Sequence, residues 1–527
     1  AERLCARLHI PELRKDAMIT LPLDQLHSIL PADGWRRLET YLGNVRVGFD
    51  ESIETPFFRG DTKDPKAFGT WYYENIAKSN IPELNELERE EINTFTPMSI
   101  RKPWEMREAS VKEYFSIKDF PTNHSLERSF DKVQRFIKAH SLVPSSFRSS
   151  YRAMPKDSNL GLPWFTRDKE LAESYLTRAN NIQSGGWRED ILPAVVGWRG
   201  QSSDDPNFPK QRVVWMMDHV ETIIGLSVQV PVLDKLRKLS NFAAWGTLEG
   251  VDRMVTQLLD RTRKQIMSAD FHGFDKRFPR VVIHSAFDLL RRWFVESAKP
   301  LIDWLELQFL TVGIATPNGI YSGRNAGVPS GSALTNLIDS LGQLLMLPSM
   351  YWGSVLGDDG IYEGVPDPDE LASMFKSNYG MEVSTDKGGF SNDQVRFLQR
   401  LHLRSYRVHG ICVGVRSLVR TWKGACYLER HTPDLPEEFF SARTISQLEN
   451  AKWHPNFRKA VEYFYSVDRV LQRLDPVEIF RKAGGTGFVE KTLGLDSYKF
   501  GSELPSVGLS TFKTVSELRR LRLHRKV

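Results

Sequence analysis

The stretch SVLGDDGIYEG, residues 354–364, decides how this chain is read. Val355 and Leu356 precede, and Ile361 and Tyr362 follow, a Gly-Asp-Asp-Gly turn, so strand-forming residues flank a tight reversal. That pattern predicts a β-hairpin with its turn at the acidic pair. A hairpin tip is an ordinary place for one polar residue, but Asp358 and Asp359 set two like charges side by side. Alone, the pair reads as a hydrophilic turn.

The neighbouring segments change that reading. QIMSADFHGFDKRFP (265–279) reads as a short strand with Asp270 at its C-terminal end, a bend at Gly273 and Asp275 five residues on. Pro279 then opens an amphipathic helix, a position where proline is well tolerated. If the hairpin packs beside this strand, three or four carboxylates converge. Two such charges roughly 4 Å apart repel by about 4 kcal/mol at an effective dielectric of about 20, a cost seldom concentrated without counter-ions. Mg²⁺ matches, because it takes oxygen ligands, binds through one or two carboxylates and shares the remainder with substrate phosphates. Two ions on Asp270 and Asp358 would serve in-line phosphoryl or nucleotidyl transfer.

Between these segments lies GVPSGSALTNLIDSLGQLL (327–345), a Gly/Pro/Ser loop feeding a helix. Leu334, Ile338, Leu341 and Leu345 fall on one helical face and are expected in the core. Thr335, Asp339 and Gly342 form a polar, small-residue stripe beside them. A glycine-rich loop opening such a helix suits close contact with a sugar-phosphate backbone; taken alone, the segment reads rather as a capped helix with a spare polar face.

The whole chain sets bounds. Its 527 residues, 41% hydrophobic and 26% charged with 36 Gly and 28 Pro, exclude collagen-like, low-complexity and wholly disordered classes. A net charge of +5 permits a polyanionic partner without demanding one. Three cysteines make neither a disulfide framework nor a four-cysteine zinc site, and a reducing, intracellular setting is expected. The 12 histidines show no metal-ligand spacing. The N-terminus carries charges where a signal peptide needs an apolar run, and no 18-residue apolar stretch occurs, so a soluble protein without a membrane partner is expected. The basic end KTVSELRRLRLHRKV (513–527) reads as a solvated helix face, with RNA or partner binding the lesser reading.

DFHGFD, then GVPSGSALTNLIDS, then LGDDG, in this order and spacing, resemble motifs A, B and C of viral RNA-dependent RNA polymerases. SNLGLP (158–163) is similar to motif G, with Gly161 and Pro163, and PKQRVVW (209–215), with Arg199, to the basic motif F. YGMEVSTDKGGF (379–390) resembles motif D, with Lys387, and FLQR (397–400) the primer-grip motif E. The set is most similar to the polymerases of small double-stranded RNA viruses, the picobirnavirus and partitivirus kind.

The resemblance implies an α+β right hand of fingers, palm and thumb, with closed fingertips and an antiparallel palm sheet flanked by helices. It implies an N-terminal bridge over 1–60, fingers over 61–215 and 281–326, palm over 216–280 and 327–405, and thumb with tail over 406–527. Asp270 and Asp358 would be the main metal ligands and Asp359 an accessory one, for two Mg²⁺ ions that Mn²⁺ could replace. Asp275 would meet the incoming ribose with Ser330, Gly331, Thr335 and Asp339, the last standing where many relatives carry Asn. Arg199, Lys210 and Arg212 would hold the triphosphate, Lys387 would protonate pyrophosphate, and Gly161, Pro163 and Arg400 would guide template and primer. Implied partners are template and nascent RNA, NTPs and a viral capsid protein, in the virion interior and host cytoplasm. A reverse transcriptase is the nearest alternative, but it would place an aromatic gate where this chain has Asp275. A non-catalytic RNA-binding or capsid-associated protein on the same fold is the other.

Overall fold

The computed structural model describes residues 18–52, 55–57, 65–94, 97–120, 126–154, 159–166, 171–186, 191–205, 208–261, 264–384, 389–429, 435–483 and 509–525. Strands β1 (Ile19–Leu21), β2 (Ala194–Gln201), β3 (Lys210–Met216), β4 (Ile266–His272), β5 (Ile314–Thr316), β6 (Gly319–Ser322), β7 (Trp352–Leu356), β8 (Asp359–Glu363), β9 (Glu382–Ser384), β10 (Phe390–Ser391), β11 (Gln394–Phe397) and β12 (Arg400–Leu403) build three sheets. The first has the order β1-β6-β5-β2-β3, antiparallel except where β2 meets β5. The second, β10-β4-β8-β7, is antiparallel, and β9 pairs with the C-terminal half of β4. The third is the β11–β12 hairpin. With helices packed around them, the class is α+β.

The second sheet shares one large core with helices His219–Leu236, Leu248–Arg261, Arg280–Trp293 and Thr335–Met346. Leu334, Ile338, Leu341 and Leu345 are buried there, as the 3.6-residue periodicity requires. The polar stripe beside them is not a surface. Asp339 and Gln343 are also buried, and a Cβ on Gly342 would lie 2.2 Å from the Phe278 ring. Gly342 therefore lets two helical segments approach closely, which corrects the expectation that its small size serves a sugar-phosphate backbone.

A second core gathers helices Leu418–Cys426, Glu437–Asn450 and Phe457–Val467 around Tyr72, Tyr73, Ala77 and Ile92 from far upstream. Polar struts join the same two regions. Buried Glu88 accepts hydrogen bonds from Ser417 Oγ (2.6 Å) and from the backbone N–H groups of Leu418 (2.7 Å) and Val419 (2.9 Å). Those are orphan donors at the start of a helix, so a carboxylate suits them. Glu91, one turn on, pairs with Lys423 at 2.7 Å and Arg420 at 2.8 Å. A third core lies between the first sheet and helices Ala32–Val47 and Trp104–Ser116.

The basic end is a helix, Lys513–Arg525, whose arginine face stays partly solvated while its apolar face packs. Val515 and Leu518 are buried in the second core, and Glu449 accepts the backbone N–H of Thr514 at 2.9 Å. Arg519 pairs with Asp475 and Arg520 with Glu517. No helix among the described residues is long and apolar enough to cross a membrane.

Candidate active site

The acidic hairpin forms, with its turn one residue earlier than the acidic pair. Leu356 pairs with Asp359 across β7 and β8, which leaves Gly357-Asp358 as a two-residue turn, and Gly357 takes the positive φ of 61° that the turn demands. In the β4–β8 ladder Ala269 pairs with Gly360, so the next position along sets Asp270 beside Asp359. On its other edge Asp270 pairs with Ser384 of β9.

Helix Thr335–Met346 grips the turn. The Gly357 N–H donates to Ser340 Oγ at 2.8 Å, Gln343 Nε2 donates to the Gly357 carbonyl at 2.8 Å, and Tyr362 Oη donates to Gln343 Oε1 at 2.7 Å. The sequence reading missed Ser340 and Gln343. A signal existed, since a glutamine inside an apolar helix must find partners once buried.

Asp275 lies in the short helix Phe274–Arg277, entered through Gly273 at φ 61°. Ser330 Oγ donates to the Asp275 carboxylate, and Tyr114 Oη stands 3.3 Å from the same hydroxyl. The backbone holds this pair together, because the Val328 N–H donates to the Asp275 carbonyl at 2.7 Å. Gly331 fits against β3, where a Cβ would meet the Trp215 carbonyl oxygen at 2.1 Å. The Trp215 N–H donates to the Ser330 carbonyl at 2.9 Å. Thr335 Oγ1 donates to Pro329 O at 2.8 Å and so closes its own loop.

The carboxylates feel one another. Burial, then Asp358 and Asp270, push Asp359 up to about 7. Burial, then Asp358, raise Asp275, and burial, then Asp275 and Asp358, raise Asp339 well above the carboxylate range. Asp339 Oδ1 is buried with no hydrogen-bond partner. Arg212 opposes this field, with its guanidinium 3.8 Å from Asp358. Among the described residues, no three Asp, Glu, His or Cys side chains close into a ready metal cage. The donor set still suits Mg²⁺, which needs only one or two carboxylates when substrate phosphates supply the rest.

The basic residues come together through sheet register. Arg199 stands directly opposite Arg212, and Gln201 opposite Lys210, across β2 and β3. Lys210 and Arg212 are exposed, and Arg199 Nε is 3.8 Å from Glu429. Gly161, at φ 65°, packs against the Met217 carbonyl, and Pro163 abuts Gly34. Arg400 is buried beside the turn of the β11–β12 hairpin and donates to the Asn450 carbonyl at 3.4 Å. Ser158 and Lys387 lie outside the described residues.

A family model described as viral RNA-dependent RNA polymerase matches residues 207–400, the span holding all of these acidic residues. A potential RNA-dependent RNA polymerase of human picobirnavirus is 28% identical over 470 residues, covering 82% of this chain and 85% of that protein. The RNA-directed RNA polymerase of Cryptosporidium parvum virus 1 is 26% identical over 332 residues, 56% of this chain and 61% of that protein. The fold is similar to the crystal structure of a human picobirnavirus RNA-dependent RNA polymerase, with a TM-score of 0.76, 23% identity, and coverage of 94% of this chain and 100% of that one. An insertion-loop deletion mutant of such a polymerase superimposes with a TM-score of 0.72 at 22% identity. With its acidic hairpin, strand and loop set in one fold, this chain is similar to the viral RNA-dependent RNA polymerases, which are nucleotidyltransferases.

Proposed function

We propose that this chain performs template-directed 5′–3′ RNA synthesis, serving genome replication and transcription of a double-stranded RNA virus, by two-metal nucleotidyl transfer. The observation that carries the reading is the β4–β8 register, which sets Asp270 beside Asp359 with Asp358 at the adjoining turn. Asp270 and Asp358, with Asp359 accessory, are the residues to hold two Mg²⁺ or Mn²⁺ ions. Such ions, when bound, activate the attacking RNA 3′-hydroxyl and stabilise charge on the leaving pyrophosphate.

The chain's own groups prepare the reactants. Lys210, Arg212 and Arg199 neutralise the triphosphate, which approaches across the β2–β3 face. Asp275 and Ser330 receive the ribose hydroxyls, with Gly331 and Thr335 shaping the loop and Asp339 beneath it. Lys387 is assigned to proton delivery to pyrophosphate. Gly161 and Pro163 shape the template path. Arg400 steadies the primer strand indirectly, by fixing the hairpin from within.

We assign fingers to 61–215 and 281–326, palm to 216–280 and 327–405, and thumb to 406–527. Residues 1–60 form a bridge, which extends further because Tyr72, Tyr73 and Ile92 share the core of the C-terminal helices. Template RNA, nascent RNA and NTPs are the substrates, a capsid protein is the assigned partner, and the virion interior and host cytoplasm are the sites of action.

The test is purified protein with an RNA template, NTPs and Mg²⁺ or Mn²⁺. Incorporation is expected with ATP over dATP, and Asp358→Ala or chelation should abolish it. Full activity in Asp358→Ala would sink the reading, and a preference for dATP would favour a reverse transcriptase.

A further inference from the structure

One face of helix His219–Leu236 serves the Ser330 loop. Glu221, Gly225 and Gln229 are four residues apart and so lie along one stripe. Buried Glu221 accepts a hydrogen bond from Ser332 Oγ through Oε1. Its other oxygen, Oε2, is buried with no hydrogen-bond partner. Gly225 admits Ala333, since a Cβ there would lie 2.9 Å from the alanine methyl. Gln229 Nε2 donates to the Ala333 carbonyl at 2.7 Å. Glutamate, glycine and glutamine thus clasp Ser332-Ala333 from one side, and β3 holds Ser330-Gly331 from the other.

We propose that Glu221, with Gln229, is a positioning residue that holds the 330–334 loop in the shape from which Ser330 reaches Asp275, and so sets selection of ribose over deoxyribose. The inference rests on the polymerase reading, in which Asp275 and Ser330 meet the sugar. The mechanism is transmission over two residues. Ser332 Oγ is fixed by Glu221 and accepts the Leu334 N–H at 3.1 Å, while the Ser332 N–H donates to Pro329 O at 2.9 Å. Freed of Glu221, this turn loses the anchor that sets where Ser330 Oγ points. Burial raises the Glu221 carboxyl to about 7. A glutamine would keep both its shape and its acceptor oxygen.

The test compares wild type, Glu221→Ala, Glu221→Gln and Ser332→Ala in steady-state ATP and dATP incorporation on one RNA template, scaled to the active fraction found by single-turnover titration. Expected are a rise in KM for ATP and a fall of about tenfold in ATP-over-dATP selectivity for Glu221→Ala, as befits loss of a hydrogen bond to an ionisable group. Ser332→Ala should show the same direction, and Glu221→Gln should restore selectivity to within about threefold. If Glu221→Ala does not fold, Ser332→Ala and Glu221→Gln carry the comparison. A lower active fraction with unchanged KM and selectivity would mark a merely structural glutamate and overturn the inference alone. Absence of incorporation by wild type would overturn the polymerase reading and this inference with it.

Discussion

The side-chain amide of Gln343 donates to the carbonyl oxygen of Gly357 at 2.8 Å, which ties the middle of a buried helix to the turn that carries Asp358. The same amide accepts the Tyr362 hydroxyl at 2.7 Å, so one residue sets the height of the turn and the next strand together. Gln343→Leu would leave a buried carbonyl and a buried hydroxyl without partners. Each such orphan costs about 1–3 kcal/mol. The expected result is a loss of about 2–5 kcal/mol in urea unfolding, together with a fall of at least tenfold in kcat, because displacement of about 1 Å at a reacting centre is costly.

Gly342→Ala separates packing from RNA contact. The new methyl would enter the Phe278 ring, so overpacking should cost about 1–3 kcal/mol in unfolding experiments. RNA affinity of the folded fraction is expected to be unchanged. A selective loss of RNA binding at native stability would restore the reading in which this glycine faces a sugar-phosphate backbone.

Glu91 predicts an acid limb to stability. Burial raises its pKa, but Arg420 and Lys423 outweigh burial and hold the carboxyl at about 2, against an ordinary 4.5. A carboxyl held low in the folded state stabilises fully above its unfolded value, and loses that contribution as pH falls through 4.5 toward about 2. The contribution at neutral pH is roughly 3 kcal/mol on this shift. Burial also lowers Lys423, so removing its partner leaves a costly cation. Glu91→Gln should therefore lower stability at pH 7 and flatten its fall between pH 4.5 and pH 2, as read by denaturant midpoints across pH.

Charge at the C-terminal helix should matter to folding and not to RNA. Arg519 and Arg522 face Asp475, and Arg520 faces Glu517 and Glu462. Replacing Arg519, Arg520 and Arg522 with Ala should leave the slope of log affinity for RNA against log salt unchanged. Each arginine that contacts RNA phosphate would shift that slope by about 0.7 to 0.9. Cutting the helix away should instead lower Tm, because it removes Val515 and Leu518 from the second core and uncovers the apolar residues they pack against.

Much of the site was legible because its signals are local. A Gly-Asp-Asp-Gly reversal between strand formers, an aspartate near the end of a strand, and leucines repeating at helical spacing each depend on neighbours a few positions away. The resemblance to viral polymerases rests on the order of such local pieces. Gln343 stood out among apolar neighbours but its partners did not, and Ser340 and Glu221 gave no sign of theirs, because a polar residue in a helix does not announce the distant group it bonds. The smallness of Gly342 was visible, but the ring it accommodates was not.

By itself, the sequence determined that acidic residues would stand at the tip of a hairpin and at a strand end, and that the helix between them would bury one leucine stripe. Tertiary structure alone decided that β4 would pair with β8 in the register setting Asp270 beside Asp359, and that Arg199 would face Arg212. It also laid the apolar face of the basic end on the second core, while its half-exposed arginines pair with acidic partners. The physical reason is range. Turn and helix preferences are fixed by adjacent backbone and side chains, whereas strand register and ion pairing join distant segments whose positions follow from the closure of the whole core.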